Sequence, residues 1–246
     1  MHPARDLLLS LGWPAVASCS LAMAVGRGDP DPAGMALLAC GTATAYGLDR
    51  WVDHRPGESD TFRRILLIAI AVTTLLGGLL AVTAWWRFQV CVLLGVISGA
   101  YVPLKRHIPK NILTSIAWTV GCCTLPFASA PDPHHAYWGA AVSVLAIMIA
   151  NTVLCDIPDV AEDRRAGVRG ITPKYGPQAG VKVVLTAGTA GVLAGLLSRH
   201  YPLALTAACF GPLAVLMGED PGRTSLRKYG DLIVTLVPGP LSLVLQ

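Results

Sequence analysis

The segment ILLIAIAVTTLLGGLLAVT, residues 65–83, contains no charged side chain. A helix needs about 20 consecutive apolar residues to cross the hydrocarbon core of a bilayer, and this segment has that length. A helix is also the form in which a single segment pairs its backbone N–H and C=O groups without water. The segment therefore predicts a transmembrane helix and an integral membrane protein.

Composition extends this prediction to the whole chain. Of the 246 residues, 53% are hydrophobic and 14% are charged, with a mean hydropathy of +0.56. Soluble domains carry about 25% charged residues. The charges are grouped, and the apolar segments between them predict nine transmembrane helices in an all-α bundle. The predicted spans are roughly 7–25, 33–51, 65–83, 86–103, 112–130, 136–154, 181–198, 202–217 and 230–245.

These spans leave no room for a separate soluble domain. We therefore predict a single transmembrane domain over residues 1–246, with polar cap loops at about 54–64 and 156–180. Long polar loops on one side of a membrane protein are typical of a lid over a cavity mouth, and simple solvated connectors are the alternative.

The distribution of positive charge predicts the orientation of the chain. If the loops that follow even-numbered spans face the cytoplasm, that side holds all of the 19 Lys and Arg residues except Arg27, Arg87 and Arg199. The positive-inside rule then places the N-terminus in the cytoplasm and the C-terminus outside. Because the membrane orientation explains the basic residues, no nucleic-acid partner is predicted.

Two aspartate pairs of identical spacing carry the candidate chemistry. Asp49 and Asp53 form the first pair, and Asp159 and Asp163 form the second. On a helix, side chains four residues apart share one face. Carboxylates at the end of an apolar segment are costly and are functional candidates by default. Both pairs fall on the predicted cytoplasmic side of the membrane.

Mg²⁺ is the ion that such pairs suit best. It prefers oxygen ligands and commonly bridges one or two carboxylates to substrate phosphates. We predict that the four aspartates bind Mg²⁺ around a diphosphate, whose departure the metal would assist. One Asp-x-x-x-Asp pair is common on helix surfaces, but two pairs on the same side form a much stronger signal.

A basic element lies between the two pairs, in Tyr101-Val102-Pro103-Leu104-Lys105-Arg106. Lys105 and Arg106 could bind the same phosphates as fixed cations. Anchoring by the positive-inside rule is the alternative. Near the second pair, Asp156 precedes Ile157-Pro158 and is predicted to cap the helix that carries Asp159 and Asp163.

In combination, these motifs resemble the UbiA superfamily of intramembrane prenyltransferases. Asp49 and Asp53 match the end of its first acidic motif, and Tyr101 and Lys105 match its Tyr-x-x-x-Lys element. The second motif is matched by Asp159, Asp163 and Gly167, followed by a turn at Gly170-Ile171-Thr172-Pro173. The resemblance covers essentially the whole chain and implies a UbiA-like bundle around a central cavity.

One departure from the family pattern concerns the first motif. The Asn-Asp that opens it in the family is Ala45-Tyr46 here, so one amide and one carboxylate are missing. Four acids remain for diphosphate binding. The departure leaves the subfamily, the acceptor and even the need for an acceptor open.

The resemblance implies that an isoprenoid diphosphate places its head among Mg²⁺, the aspartates, Lys105 and Arg106. Its tail would lie in an apolar tunnel, and aromatic faces could stabilise an allylic cation. Further substrate-binding candidates lie near the ends of the motifs, each with packing, helix bridging or charge compensation as the alternative. They are Tyr46, Arg50, Tyr101, Trp118, Asn151, Asp156 and Arg164.

Three functions follow from these interpretations. The first is prenyl transfer to a small aromatic or lipid-like acceptor. The second is a UbiA-type terpene cyclase, in which the cation is attacked by its own double bonds. The third is a transporter, which fits less well because the acids lie at one membrane face rather than at the midplane. No oligomeric state is predicted.

Overall fold

The computed structural model describes residues 11–27, 30–52, 59–104, 108–127, 135–165, 167, 170–220 and 225–245. Within these ranges every regular element is a helix, which confirms the predicted all-α class. In chain order the helices are α1 Trp13–Val25, α2 Pro32–Val52, α3 Asp60–Ala81, α4 Trp85–Leu104, α5 Lys110–Thr124, α6 His135–Asp156, α7 Val160–Arg165, α8 Ile171–Tyr175, α9 Pro177–Leu197, α10 Tyr201–Ala208, α11 Phe210–Glu219, α12 Ser225–Leu236 and α13 Pro238–Val244.

Each predicted span overlaps a helix or a pair of helices in the described part of the chain. Four segments there are long and apolar enough to cross a membrane: Asp60–Ala81, Tyr137–Asp156, Pro177–Leu197 and Tyr201–Glu219. They support the predicted membrane location, while nine crossings stay a prediction.

Prolines explain two departures from the predicted helix boundaries. Helix α5 ends at Thr124, short of the predicted 130, since Pro126 has no N–H with which to continue the helix. The predicted span 202–217 is divided at Cys209 into α10 and α11. Pro212 lies one turn after the end of α10, so the backbone bond that would join the two helices across this point is missing.

Burial distinguishes the central helix α6 from the peripheral helix α3. The apolar window of α6 is 56% buried, whereas that of α3 is 22% buried. Helix α6 packs against α5, α9 and α12. Helix α3 instead exposes Ile68, Leu75 and Leu79. A large exposed apolar surface of this kind fits a lipid-facing helix.

A close approach of α9 to α10 depends on small residues. A Cβ atom at Gly195 would lie 2.8 Å from the backbone nitrogen of Ala204. At Gly191 it would lie 2.9 Å from the Ala207 Cβ. Small residues at helix contacts let the backbones pack closely, which is a main source of helix association in membranes.

The segment predicted as a cap loop at about 156–180 contains the short helices α7 and α8. Asp156 does not cap a helix that carries the second aspartate pair: it is the last residue of α6, and its side chain turns to α5 instead. Asp159 lies in the turn before α7. Gly176 then takes a φ of +88°, which favours glycine, and Pro177 begins α9.

A candidate acidic site at one end of the bundle

Lys110 brings two acids of the second motif region together. Its Nζ lies 2.9 Å from Asp156 Oδ1 and 3.1 Å from Asp163 Oδ2. Lys110 is the first residue of α5, Asp156 is the last of α6, and Asp163 lies in α7. One ammonium therefore joins three helices at their ends.

Asn111 completes the environment of Asp156. Its Nδ2 donates to Asp156 Oδ2 at 2.9 Å, while Thr172 Oγ1 donates to the Asp156 backbone carbonyl at 3.4 Å. Asn111 is almost fully buried, and its Oδ1 has no hydrogen-bond partner in the structure. The Asp156 carboxylate is thus held from two sides, by an ammonium and by an amide.

The charges of the two acids stabilise the ammonium form of Lys110. Burial lowers the pKa of Lys110, but the negative charges of Asp156 and Asp163 outweigh that effect and hold the pKa above its ordinary value. Lys110 precedes the predicted span 112–130, and 24% of its side-chain surface is exposed. Lys110 is therefore charged at neutral pH, and its side chain is still partly accessible to solvent.

The second aspartate pair has the predicted one-turn spacing. The Asp163 N–H donates to the Asp159 carbonyl at 2.9 Å, so the two residues occupy successive turns. Arg164 follows the pair, and its Nε donates to the Pro173 carbonyl at 2.6 Å. In this structure Arg164 therefore joins α7 to α8.

The first motif is described only in part. Asp49 and Arg50 lie near the end of α2. Asp53 lies outside the described residues, as do Lys105 and Arg106. The backbone of Tyr101 belongs to α4, and its side chain lies outside the description. The convergence of these residues on the second pair therefore stays a prediction.

Two of the predicted aromatic residues, Tyr46 and Trp118, meet inside the bundle. The rings of Tyr46 and Trp118 lie edge to face, with centroids 6.1 Å apart. Trp118 is buried on the same face of α5 as Asn111 and Ser115. Asp49 follows Tyr46 by three residues on α2, which is about one helical turn. The aromatic pair therefore connects the α2 motif with the helix that begins at Lys110.

Asn151 bridges two helices, as one of its predicted alternatives has it. Its Nδ2 donates to Asp231 Oδ1 at 3.2 Å, and the Cys155 thiol lies 3.9 Å from the same oxygen. Asp231 lies in α12. Asp231 was not among the predicted site residues, although an acid inside the predicted span 230–245 was a signal that could have identified it.

Lys110 and Asn111 were also missed. Lys110 was predicted only as one of the basic residues on the cytoplasmic side, and no role was predicted for Asn111. A cation followed by an amide at the start of an apolar span resembles ordinary anchoring. Their position against Asp156 depends on a contact between distant parts of the chain, which no local pattern encodes.

The donor chemistry of this region fits Mg²⁺. Within the described residues there is no group of three or more His, Cys, Asp or Glu side chains placed to bind a metal. Mg²⁺ nevertheless binds commonly through one or two carboxylates together with substrate phosphates. Asp156 and Asp163 supply two carboxylates that already converge on one cation.

Comparisons with known proteins identify the fold. No family model matches the chain, and no curated protein matches it in sequence. Its structure is similar to the apo structure of a UbiA homologue from Aeropyrum pernix K1, with a TM-score of 0.69 and 14% identity over 96% of this chain and 98% of that one. A digeranylgeranylglyceryl phosphate synthase is also similar, with a TM-score of 0.63 and 14% identity over 100% of this chain and 98% of that one. The chain therefore has the fold of a UbiA homologue, as the motifs predict.

Proposed function

We propose that this protein is a Mg²⁺-dependent intramembrane prenyltransferase. It transfers an isoprenoid chain from a polyprenyl diphosphate to a small aromatic or lipid-like acceptor. The observation that carries the proposal is the pair of carboxylates on Lys110, at the end of a bundle with a UbiA-like fold. One of the similar structures is a digeranylgeranylglyceryl phosphate synthase, an enzyme named for making a prenylated glyceryl phosphate, which agrees with this reaction class.

The proposed reaction separates into two bond changes. The bond between C1 of the prenyl chain and its oxygen breaks, and pyrophosphate leaves with both electrons. The acceptor then forms a bond to C1 and loses a proton. Mg²⁺ supplies charge neutralisation for the leaving pyrophosphate.

The residues of this chain bind and orient the diphosphate. Asp49, Asp53, Asp159 and Asp163 are the proposed metal ligands. Asp156 is held by Asn111 and shares Lys110 with Asp163. Lys105, Arg106 and Tyr101 are proposed to bind phosphate oxygens, with Arg50 nearby. The proposed site opens to the cytoplasm if the N-terminus is cytoplasmic. With nine spans the C-terminus then lies on the opposite side of the membrane, and a reporter fused to it should be detected there.

A direct assay tests the reaction. The purified protein in detergent is incubated with farnesyl or geranylgeranyl diphosphate, Mg²⁺ and 4-hydroxybenzoate as an aromatic probe, or a glyceryl phosphate lipid as a lipid-like one. We expect pyrophosphate release that requires Mg²⁺ and an acceptor and is abolished by EDTA. No consumption of either diphosphate with either acceptor would contradict the proposal.

Substitution of one acid from each motif sharpens the assay. Asp49→Ala and Asp159→Ala are each expected to lower pyrophosphate release at least about 100-fold, because each removes a proposed metal ligand. Both variants should still insert into the membrane. Glu219→Gln is the matched control, since Glu219 is exposed at the end of α11, and it should retain the wild-type rate. Full activity of the Asp49 and Asp159 double variant in EDTA would contradict the metal site.

The aromatic pair favours a second candidate function, a membrane terpene cyclase. Tyr46 replaces the acid of the family motif and contacts Trp118 inside the bundle. Aromatic faces stabilise carbocations. A cyclase would convert the diphosphate into a cyclic hydrocarbon without any acceptor, whereas a transferase leaves the diphosphate unconsumed until an acceptor is added.

A further inference from the structure

Lys110 occupies a carboxylate oxygen of one proposed metal ligand, Asp163, and one of its neighbour Asp156. Its ammonium is within 3.1 Å of one oxygen of Asp156 and one of Asp163. The second Asp156 oxygen accepts a hydrogen bond from Asn111. An ammonium and a divalent cation repel each other and compete for the same oxygens. Both cannot bind this pair of acids at full strength.

We propose that Lys110 is an exchangeable counter-ion of the acidic site. It neutralises Asp156 and Asp163 in the free protein, and it moves to the diphosphate when divalent cations arrive with the substrate. This inference rests on the proposed function, because it assumes that the acids bind a metal–diphosphate complex. It assigns a role to a residue that lies outside the matched motifs.

The chemistry of lysine suits such an exchange. Its ammonium is a compact charge on a flexible four-carbon stem, whereas an arginine fork holds a carboxylate in a fixed geometry. The side chain of Lys110 remains 24% exposed, so it has room to turn away from the acids. Phosphate oxygens are strong acceptors for an ammonium. The diphosphate can therefore bind the Lys110 ammonium when the metal binds the carboxylates that it leaves.

The exchange also lowers the cost of an empty site. Asp156 and Asp163 are both largely buried, with 10% and 13% of their side-chain surfaces exposed. Two neighbouring carboxylates without a cation would repel each other. A permanent structural ion pair would stabilise them equally well, but it would not respond to the diphosphate. The two interpretations differ in what the removal of Lys110 does to the extra metal affinity that pyrophosphate brings.

Titration with Mn²⁺ separates them without any prenyl substrate. Free Mn²⁺ is measured by electron paramagnetic resonance with the detergent-purified protein, with and without inorganic pyrophosphate. We expect Lys110→Met to bind Mn²⁺ about tenfold more tightly than wild type without pyrophosphate, because the competing charge is gone. The extra affinity that pyrophosphate brings should be smaller in this variant, because its ammonium partner is missing.

Two further variants control the measurement. Lys182→Met also removes one lysine charge, but Lys182 is exposed on α9 outside the site, so its Mn²⁺ affinity should stay within about twofold of wild type. Lys110→Arg keeps the charge in a fork that binds carboxylates more rigidly, so it should bind Mn²⁺ no more tightly than wild type. If Lys110→Met does not stay monodisperse, Lys110→Gln replaces it, with the same expectation.

The outcomes separate the exchange from the proposed function. Unchanged or weaker Mn²⁺ binding by Lys110→Met (or its replacement Lys110→Gln) without pyrophosphate would overturn the exchange alone, provided that the wild type binds normally. A gain in affinity from pyrophosphate as large as that of wild type would also overturn it. Absence of Mn²⁺ binding by the wild-type protein, with and without pyrophosphate, would overturn the metal site and the exchange with it. Wild-type binding without any prenyl transfer would leave the exchange standing and contradict the proposed reaction.

Discussion

Each end of the bundle has a cation bound to carboxylate oxygen, and the two arrangements differ in charge and in rigidity. At one end Lys110 is shared by Asp156 and Asp163. At the other end, before α2 and at the start of α4, Arg87 Nη2 donates to Asp31 Oδ2 and to the Phe127 carbonyl. The first cation faces two acids, whereas the second faces one acid and one neutral carbonyl.

The two cations also differ in exposure and in local packing, and Arg87 is the more enclosed of the two. The side chain of Arg87 is 6% exposed, compared with 24% for Lys110. The guanidinium of Arg87 also lies 5.2 Å from the centre of the Trp86 ring, and Asp31 accepts the Gly34 N–H at 2.7 Å. The Arg87–Asp31 pair is therefore balanced in charge, and its cation is enclosed. In the cluster of Lys110 with Asp156 and Asp163, two acids face one cation, and that cation remains reachable by solvent.

This comparison indicates that the same pair of charge types serves two purposes. A balanced, buried pair holds helices together, and its loss is expected to change stability. An open site with more acids than cations can accept a further cation, and its loss is expected to change binding and turnover. Substitutions at the two ends should therefore have separable effects.

The largest expected effect is that of Asp163→Asn on turnover. The substitution keeps the size of the side chain but removes one proposed metal ligand and one partner of Lys110. We expect pyrophosphate release to fall at least about 100-fold, because the leaving group loses charge neutralisation. The thermal midpoint should change little, because Lys110 keeps Asp156 as its partner. A rate within a few-fold of wild type would contradict the assignment of binding and turnover to the Lys110 end.

The next effect is that of Arg87→Met on stability. Removal of one partner from a buried ion pair costs about 3–5 kcal/mol, because the remaining charge is left without its partner. Because Asp31 keeps part of its surface in contact with solvent, we expect the lower end of that range. Thermal unfolding in detergent measures the loss, and Arg87→Lys should recover part of it.

Activity decides whether the Arg87 end is only structural. At a temperature below the lowered midpoint, the folded fraction of Arg87→Met should release pyrophosphate at a rate within about twofold of wild type, since Arg87 lies far along the bundle from the acidic site. A large loss of rate without a loss of stability would show that the two ends are coupled.

The sequence predicts one of these ends better than the other. Apolar spans locate the helices, and the motif at Asp159 and Asp163 marks the acidic end, because helical spacing is a local property. The partners of these acids are not local: Lys110 precedes Asp156 by many residues and has the pattern of a membrane anchor. Likewise, Asp31 lies just before α2 and Arg87 lies in the first turn of α4, and only packing brings them together. Local patterns thus identify the acids but not the cations that balance them.

The smallest expected effect is the pH dependence of stability at the Arg87 end. The Gly34 N–H and the charge of Arg87 lower the pKa of Asp31 below its ordinary value, against a smaller opposing effect of burial. A carboxyl group with a lowered pKa in the folded state stabilises the protein above its ordinary pKa of about 4, and that contribution is lost as the pH falls through the lowered value. Asp31→Asn should therefore lower the thermal midpoint at pH 7, and the difference from wild type should shrink as the pH falls below about 4. Thermal unfolding of both proteins across this range measures the difference. A difference that stays constant down to the lowest pH would mean that Asp31 acts through its shape and hydrogen bonds rather than through its charge.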